Sequence, residues 1–80
     1  MARILILGAG GVANVIAVKI SQQPGTFSSL CIASRNPVKC SKIAARVETA
    51  LPVTTARIDA SDGASVADLI RKEGSSIVMN

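Results

Sequence analysis

Arg3-Ile4-Leu5-Ile6-Leu7-Gly8-Ala9-Gly10-Gly11-Val12-Ala13 is the stretch that decides how the chain is read. Residues 3–7 form a short, branched, mostly apolar run that ends at glycine. A strand with one wet face alternates apolar with polar residues, so an unbroken run reads as a strand buried on both faces. Beyond the glycines, Val12, Val15, Ile16 and Ile20 recur at helical spacing, and Ala13 and Ala17 keep the same helix slim. Strand, glycine turn and amphipathic helix therefore follow one another without a gap.

The same rhythm continues outward. Gln22-Gln23-Pro24-Gly25 closes the first helix, and residues 30–33 are a second apolar run. Asn36-Pro37 reads as an N-cap followed by proline at the first helical position. Cys40, Ile43, Ala44 and Val47 then lay an apolar stripe along that helix. Pro52 stops its continuation, and the β-branched stretch 53–58 reads as a third strand. Asp62 or Ser65 can cap a third helix, with Ser65 and Asp68 forming a box-like pair. Val66, Leu69 and Ile70 would be its apolar face, Gly74 its stop, and residues 76–79 a fourth strand. The order β-α-β-α-β-α-β predicts an α/β fold with a parallel sheet. Right-handed crossovers give the strand order 3-2-1-4, the N-terminal half of a Rossmann doubly wound sheet. There is no internal repeat and no low-complexity segment.

Gly8-Ala9-Gly10-Gly11-Val12-Ala13 fits G-x-G-x-x-A, placed between a strand and a helix as a dinucleotide-binding loop requires. Gly8 permits the tight turn, Gly10 lets a pyrophosphate approach the backbone, and Ala13 lets the helix pack close to the strand. The amides of Gly10, Gly11 and Val12 would face the pyrophosphate at the positive end of the helix dipole. Choice of cofactor falls to the end of the second strand, where an NAD site carries Asp or Glu about 20 residues past the motif. Here Ser34 and Arg35 stand instead, and no acid precedes Glu48. A hydroxyl and a planar guanidinium suit a 2′-phosphate, which favours NADP(H); the plainer reading of Arg35 is a solvated charge where the helix starts. Arg35, Lys39, Lys42 and Arg46 share one helix face, preferred as a solvated face, although Lys39 could reach the 2′-phosphate. Asp59-Ala60 either borders the adenine or begins the next capping turn. Asn80 lies where the site would continue toward the nicotinamide, or is an ordinary strand-end residue.

Composition narrows the classes. The 80 residues fall below the most common domain size of about 100–150, so one domain is the most they can hold. With 49% hydrophobic residues, part of the surface expects cover from more polypeptide or another subunit. The net charge of +4 suits an anionic ligand. Phe27 is the sole aromatic residue, so the stacking platforms of single-strand nucleic-acid binding are missing and no nucleic-acid partner is expected. The sequence has no histidine, which excludes His ligands and His general bases, and no metal site is expected. Cys31 and Cys40 read as small buried hydrophobes in a cytoplasmic protein. Gly8, Gly10, Gly11 and Asn14 break the apolar run behind Arg3, which argues against a leader peptide, a membrane span or a membrane partner.

Taken together, Ile6-Leu7-Gly8-Ala9-Gly10-Gly11-Val12, Ala33-Ser34-Arg35, Asp59-Ala60 and Ile77-Val78-Met79-Asn80 resemble the N-terminal domain of the saccharopine dehydrogenase family. Within that family the likeness is greatest to the carboxynorspermidine dehydrogenase (synthase) branch, and it spans essentially the whole chain. The resemblance implies an NADPH-dependent oxidoreductase acting on CH–NH groups. In that branch an imine of aspartate semialdehyde and a diamine is reduced to a secondary amine in polyamine biosynthesis. It also implies cofactor contacts from Gly8, Gly10, Gly11, Val12, Ser34, Arg35, Asp59 and Ala60, with Ala13 in the fingerprint and Asn80 nearby. The family continues beyond a domain of this size, so residues 1–80 are expected to be a partial NAD(P)-binding domain without the substrate and catalytic domain. No catalytic residue is carried over, and the small-molecule substrate is expected only in the full-length enzyme. An alternative of another class is a non-catalytic nucleotide-sensing module of a regulatory or transport protein, against which the missing acid after strand two counts. A homo-oligomer is expected. The fourth strand would leave Ile77, Val78 and Met79 on an open sheet edge. The isolated chain should therefore self-associate in sedimentation velocity, and a monodisperse monomer at high concentration would refute this.

Overall fold

The apolar run that opens the chain is strand β1 (Ala2–Leu7), and three further strands follow: β2 (Phe27–Ser34), β3 (Val53–Arg57) and β4 (Ile77–Met79). Helices α1 (Gly11–Ser21), α2 (Pro37–Val47) and α3 (Gly63–Glu73) lie between them. This architecture is that of a computed structural model, which describes residues 2–23, 25–47, 51–59 and 61–79. The strands form one sheet in the order β3-β2-β1-β4, every pair parallel, as the alternation of runs and stripes requires.

Strand β2 begins at Phe27, ahead of its apolar run, because Phe27 and Ser29 already pair with Ala2 and Arg3 of β1; at the irregularity between them Ser28 Oγ donates to the Ala2 carbonyl at 3.2 Å. Strand β3 ends at Arg57 rather than at 58, but the ladder goes on, with the Ile58 amide donating to the Ser34 carbonyl at 2.9 Å. Strand β4 starts at Ile77, one residue later than expected; Ser76 N donates to the Arg3 carbonyl at 2.9 Å just before it.

Alternation splits the core in two. Ile4, Ile6, Leu30 and Ile32 point to one face, where Ala13, Ala17 and Ile20 of α1 and Cys40, Ile43 and Val47 of α2 cover them. Leu5, Cys31 and Ala33 point to the other, with Ile58 and the half-buried Val66, Leu69 and Ile70 of α3. The chain steps one way from β1 through β3 and then back past β1 to β4. One hand of crossover then puts α1 and α2 on one face and α3 on the other. Both faces of β1 and β2 are dry, which is why their sequences are continuous apolar runs.

Two expectations need correction. In α1 Val12 and Val15 do not face the core: they are 76% and 53% exposed, while Ala13, Ala17 and Ile20 are buried and Ile16 and Val18 are half-buried against it. Packed over the sheet and beside α2, the helix turns its smallest side chains inward, where a branched residue would hold it off. In α3 the box-like pair is not Ser65 with Asp68. Asp62 is the N-cap, accepting from Ser65 N at 3.3 Å and Ser65 Oγ at 2.9 Å, and Asp68 pairs with Arg71.

Other local readings hold. Asn36 Oδ1 accepts from the amides of Val38 and Lys39 at 3.1 and 3.2 Å, capping α2. Gly74 closes α3 in the left-handed region, at φ +63°. Cys31 and Cys40 are free and buried, and burial pushes the Cys31 thiol up to about 11. No helix among the described residues is long and apolar enough to cross a membrane. The outer strand leaves Ile77, Val78 and Met79 each 36–41% exposed.

The two faces of α1 should respond differently to mutation. Ala17→Leu should cost about 1–3 kcal/mol by overpacking, while Val15→Ala should stay within about 0.5 kcal/mol, both read from urea denaturation midpoints.

Candidate dinucleotide-binding site

The carboxyl ends of β1, β2 and β3 meet at one end of the sheet. Gly8 leaves β1 at φ +119°, a conformation strained for any residue with a Cβ. Its amide still donates to the Ala33 carbonyl at 2.7 Å, so the glycine loop is tied to the end of β2. Gly10 is the N-cap of α1 in extended backbone, φ −85° and ψ −167°, and no side chain caps that helix. No acid lies in its first turn either. The positive end of the helix dipole is thus left for a ligand. A Cβ built on Gly8, Gly10 or Gly11 would meet nothing within 4 Å, so the loop faces open space where a phosphate group can approach the backbone. These residues fit a pyrophosphate.

In front of the loop is an open cleft of about 510 Å³, bordered by Gly8 and Gly10, by Ser34, Arg35 and Lys39, and by Asp59. Three separate expectations from the sequence are therefore brought to one place. Ala13 is buried beneath the loop and Val12 is exposed beside it. Ala60 and Asn80 lie outside the described residues.

Ser34 is less free than its sequence position suggests. Its Oγ accepts from the Asn36 amide at 3.0 Å, lies 3.1 Å from the Asn36 carbonyl and is 3.1 Å from Cys40 Sγ. The hydroxyl shapes the turn into α2, and to serve a phosphate it has to exchange one of these contacts. Asp59 meets both of its readings at once. It borders the cleft, and its Oδ1 accepts from Ser61 Oγ at 2.7 Å and Ser61 N at 2.9 Å in the turn before α3. Those hydrogen bonds hold its carboxyl below the usual carboxylate range, with the Arg35 charge adding to the effect.

The basic stripe of α2 is exposed, yet Lys39, Lys42 and Arg46 also border a hollow of about 280 Å³ beside Gly10 and Gly11. Arg46 Nη1 donates to Asn14 Oδ1 of α1 at 3.0 Å. Sequence reading passed over Arg57. The register sets it opposite Ser34, and it shares a second cleft of about 630 Å³ with Arg35, Asn36 and Asp59. Pairing between strands far apart in the chain carries no local signal, so position 57 looked like any strand-end cation.

Residues 4–80 match the model of the saccharopine dehydrogenase NADP binding domain. The chain belongs to this family. NADP(H) is accordingly its cofactor, and the nucleotide-binding fold is that of an oxidoreductase family. Among curated proteins, the carboxyaminopropylagmatine dehydrogenase of Synechocystis sp. is 35% identical over 80 residues, which is all of this chain and 20% of that protein. The chain thus spans about a fifth of that relative's length. Among solved structures, apo saccharopine dehydrogenase (L-Glu forming) from Saccharomyces cerevisiae superposes with a TM-score of 0.73 at 15% identity. That superposition takes in 98% of this chain and 16% of the yeast enzyme, and it establishes the fold.

The two glycines should separate folding from binding. Gly8→Ala should destabilise the protein by about 1 kcal/mol or more through its positive φ. Gly10→Val, on a backbone any residue adopts but at an N-cap where glycine outranks valine, should lower the melting temperature by no more than about 5 °C and weaken NADPH at least about tenfold. Thermal melts and fluorescence titration measure the two effects.

Proposed function

We propose that this chain is the NADP(H)-holding part of a dehydrogenase that reduces an imine between aspartate semialdehyde and an amine of the polyamine type. The single observation that carries the reading is the family match over residues 4–80 together with a relative whose name denotes a carboxyaminopropyl group joined to agmatine. Such a product is a secondary amine, as saccharopine is. Both follow from condensing an aldehyde with an amine and reducing the C=N bond. The same names weigh against a sensing module that performs no chemistry.

In this reading each described residue has a binding or positioning task. Gly8, Gly10 and Gly11 let the pyrophosphate approach, and the amides at the start of α1 receive its charge. Val12 and Ala13 begin the helix beneath it. Arg35, with Ser34 at its side and Lys39 one turn along, takes the 2′-phosphate. Asp59 accepts from the adenine edge; Ala60 and Asn80, outside the described residues, are kept as cofactor contacts on the sequence alone. When bound, the cofactor supplies hydride; the protein supplies its place and orientation.

The test is NADPH consumption by the whole dehydrogenase of which this chain is the NADP(H)-holding part, with aspartate semialdehyde and a panel of amines, agmatine and short diamines among them. Turnover that requires both aldehyde and amine supports the reading, and no turnover with any pair sinks it. Arg35→Asp should raise the NADPH dissociation constant about 10–100-fold while NADH changes by no more than about threefold.

A further inference from the structure

Arg57 ends β3 at the register position opposite Ser34. Side chains at paired positions of neighbouring parallel strands share a face of the sheet. The Arg57 side chain therefore rises beside Ser34 on the side that carries α2. It is exposed, and with Arg35 and Asn36 it borders the 630 Å³ cleft. Arg35 borders that cleft and also the 510 Å³ cleft before the glycine loop, where Lys39 joins it. Arg35 thus stands between two other cations.

Among the described residues the ion pair is Arg71 with Asp68, so none of these three cations takes part in one. Asp59 borders both clefts and its charge acts on Arg35, but it makes no ion pair with any of the three, and Ser61 occupies its Oδ1. Three cations against one carboxylate leave a positive excess, and a phosphate monoester, with a charge of about −1.5 to −2, relieves that excess. Guanidinium groups match a phosphate monoester by paired N–H donors. Asp59 disfavours that phosphate on its own side of the cleft.

We infer that Arg57 is a second specificity-determining residue, whose guanidinium joins Arg35 on the 2′-phosphate and so separates NADP(H) from NAD(H). The inference rests on the cofactor placement proposed above. It differs from a general attraction of a basic surface for anions, because it concerns only the group that distinguishes the two cofactors.

Two ligand pairs test it on the full chain: NADPH against NADH, and 2′,5′-ADP against 5′-AMP, by calorimetric titration. Arg57→Gln should weaken NADPH and 2′,5′-ADP about tenfold and leave NADH and 5′-AMP within about twofold. Arg57→Lys should recover part of the loss, as a point charge replaces a planar fork. Lys72→Gln, an equal change of charge at the end of α3, should leave both ratios unmoved. Equal losses for all four ligands, no loss in Arg57→Gln, or the same loss in Lys72→Gln would each overturn the inference. If the NADPH preference vanishes in Arg35→Asp and persists in Arg57→Gln, only the role of Arg57 fails. If the unmutated protein does not distinguish NADPH from NADH, the cofactor placement fails with it.

Discussion

The hydrogen bond from the Gly8 amide to the Ala33 carbonyl, 2.7 Å long, joins the end of β1 to the end of β2 just where the chain turns away from the sheet. A second bond, from the Ile58 amide to the Ser34 carbonyl at 2.9 Å, joins β2 to β3 at the same level. Without this alignment the glycine loop, the Ser34-Arg35 pair and Asp59 would be three unrelated turns. Parallel strands make such alignment possible, because every carboxyl end then faces the same way. Gly8 makes it compatible with a sharp exit, since only glycine takes φ +119° cheaply while keeping its amide in the ladder.

The electrostatics of that end follow from the same arrangement. An uncapped helix start, with no acid in its first turn, lies next to Arg35 and Lys39. Nothing in the 47 residues before Glu48 offsets these charges, because the sequence contains no acid there. The carboxylate that does arrive, Asp59, is held below the usual carboxylate range by Ser61 and borders the same cleft, near enough for the Arg35 charge to act on it. One cleft therefore brings together backbone donors, cations and a carboxylate acceptor, a set that suits a molecule carrying both phosphates and an amino-bearing base.

Away from the site, the apolar excess of the sequence has a visible location. Among the described residues, Val12 and Val15 on the outer face of α1, and Ile77, Val78 and Met79 on the outer strand, are the large apolar residues left most in water, with Val38 on α2. Strand β4 pairs with β1 on one side only, so its other backbone edge is open to whatever polypeptide adjoins it. The α3 face of the sheet has the thinner cover: no residue of α3 is fully buried, whereas α1 and α2 each bury three.

Much of this was legible locally. Continuous apolar runs announced strands buried on both faces, and Asn36-Pro37 and Gly74 marked helix ends by chemistry that acts within a few residues. The G-x-G-x-x-A motif and the Ser34-Arg35 pair could be placed at one site because strand alternation allows few topologies. What remained hidden depended on contacts between distant parts of the chain. The rotation of α1 about its axis was misjudged, since periodicity shows a stripe but packing over the sheet chose Ala13 and Ala17 over Val12 and Val15. The engagement of Ser34 Oγ with Asn36 and Cys40 depends on where α2 starts in space. The approach of Arg57 to Ser34 depends on the β2–β3 register, set by pairing across more than twenty residues of intervening chain. The sequence by itself determined the order of elements, the glycine turn and the absence of an acid after β2, because those rest on local sterics and charge. Only the tertiary structure decided which side chains share the cleft, because register and helix rotation are settled by packing that no single segment contains.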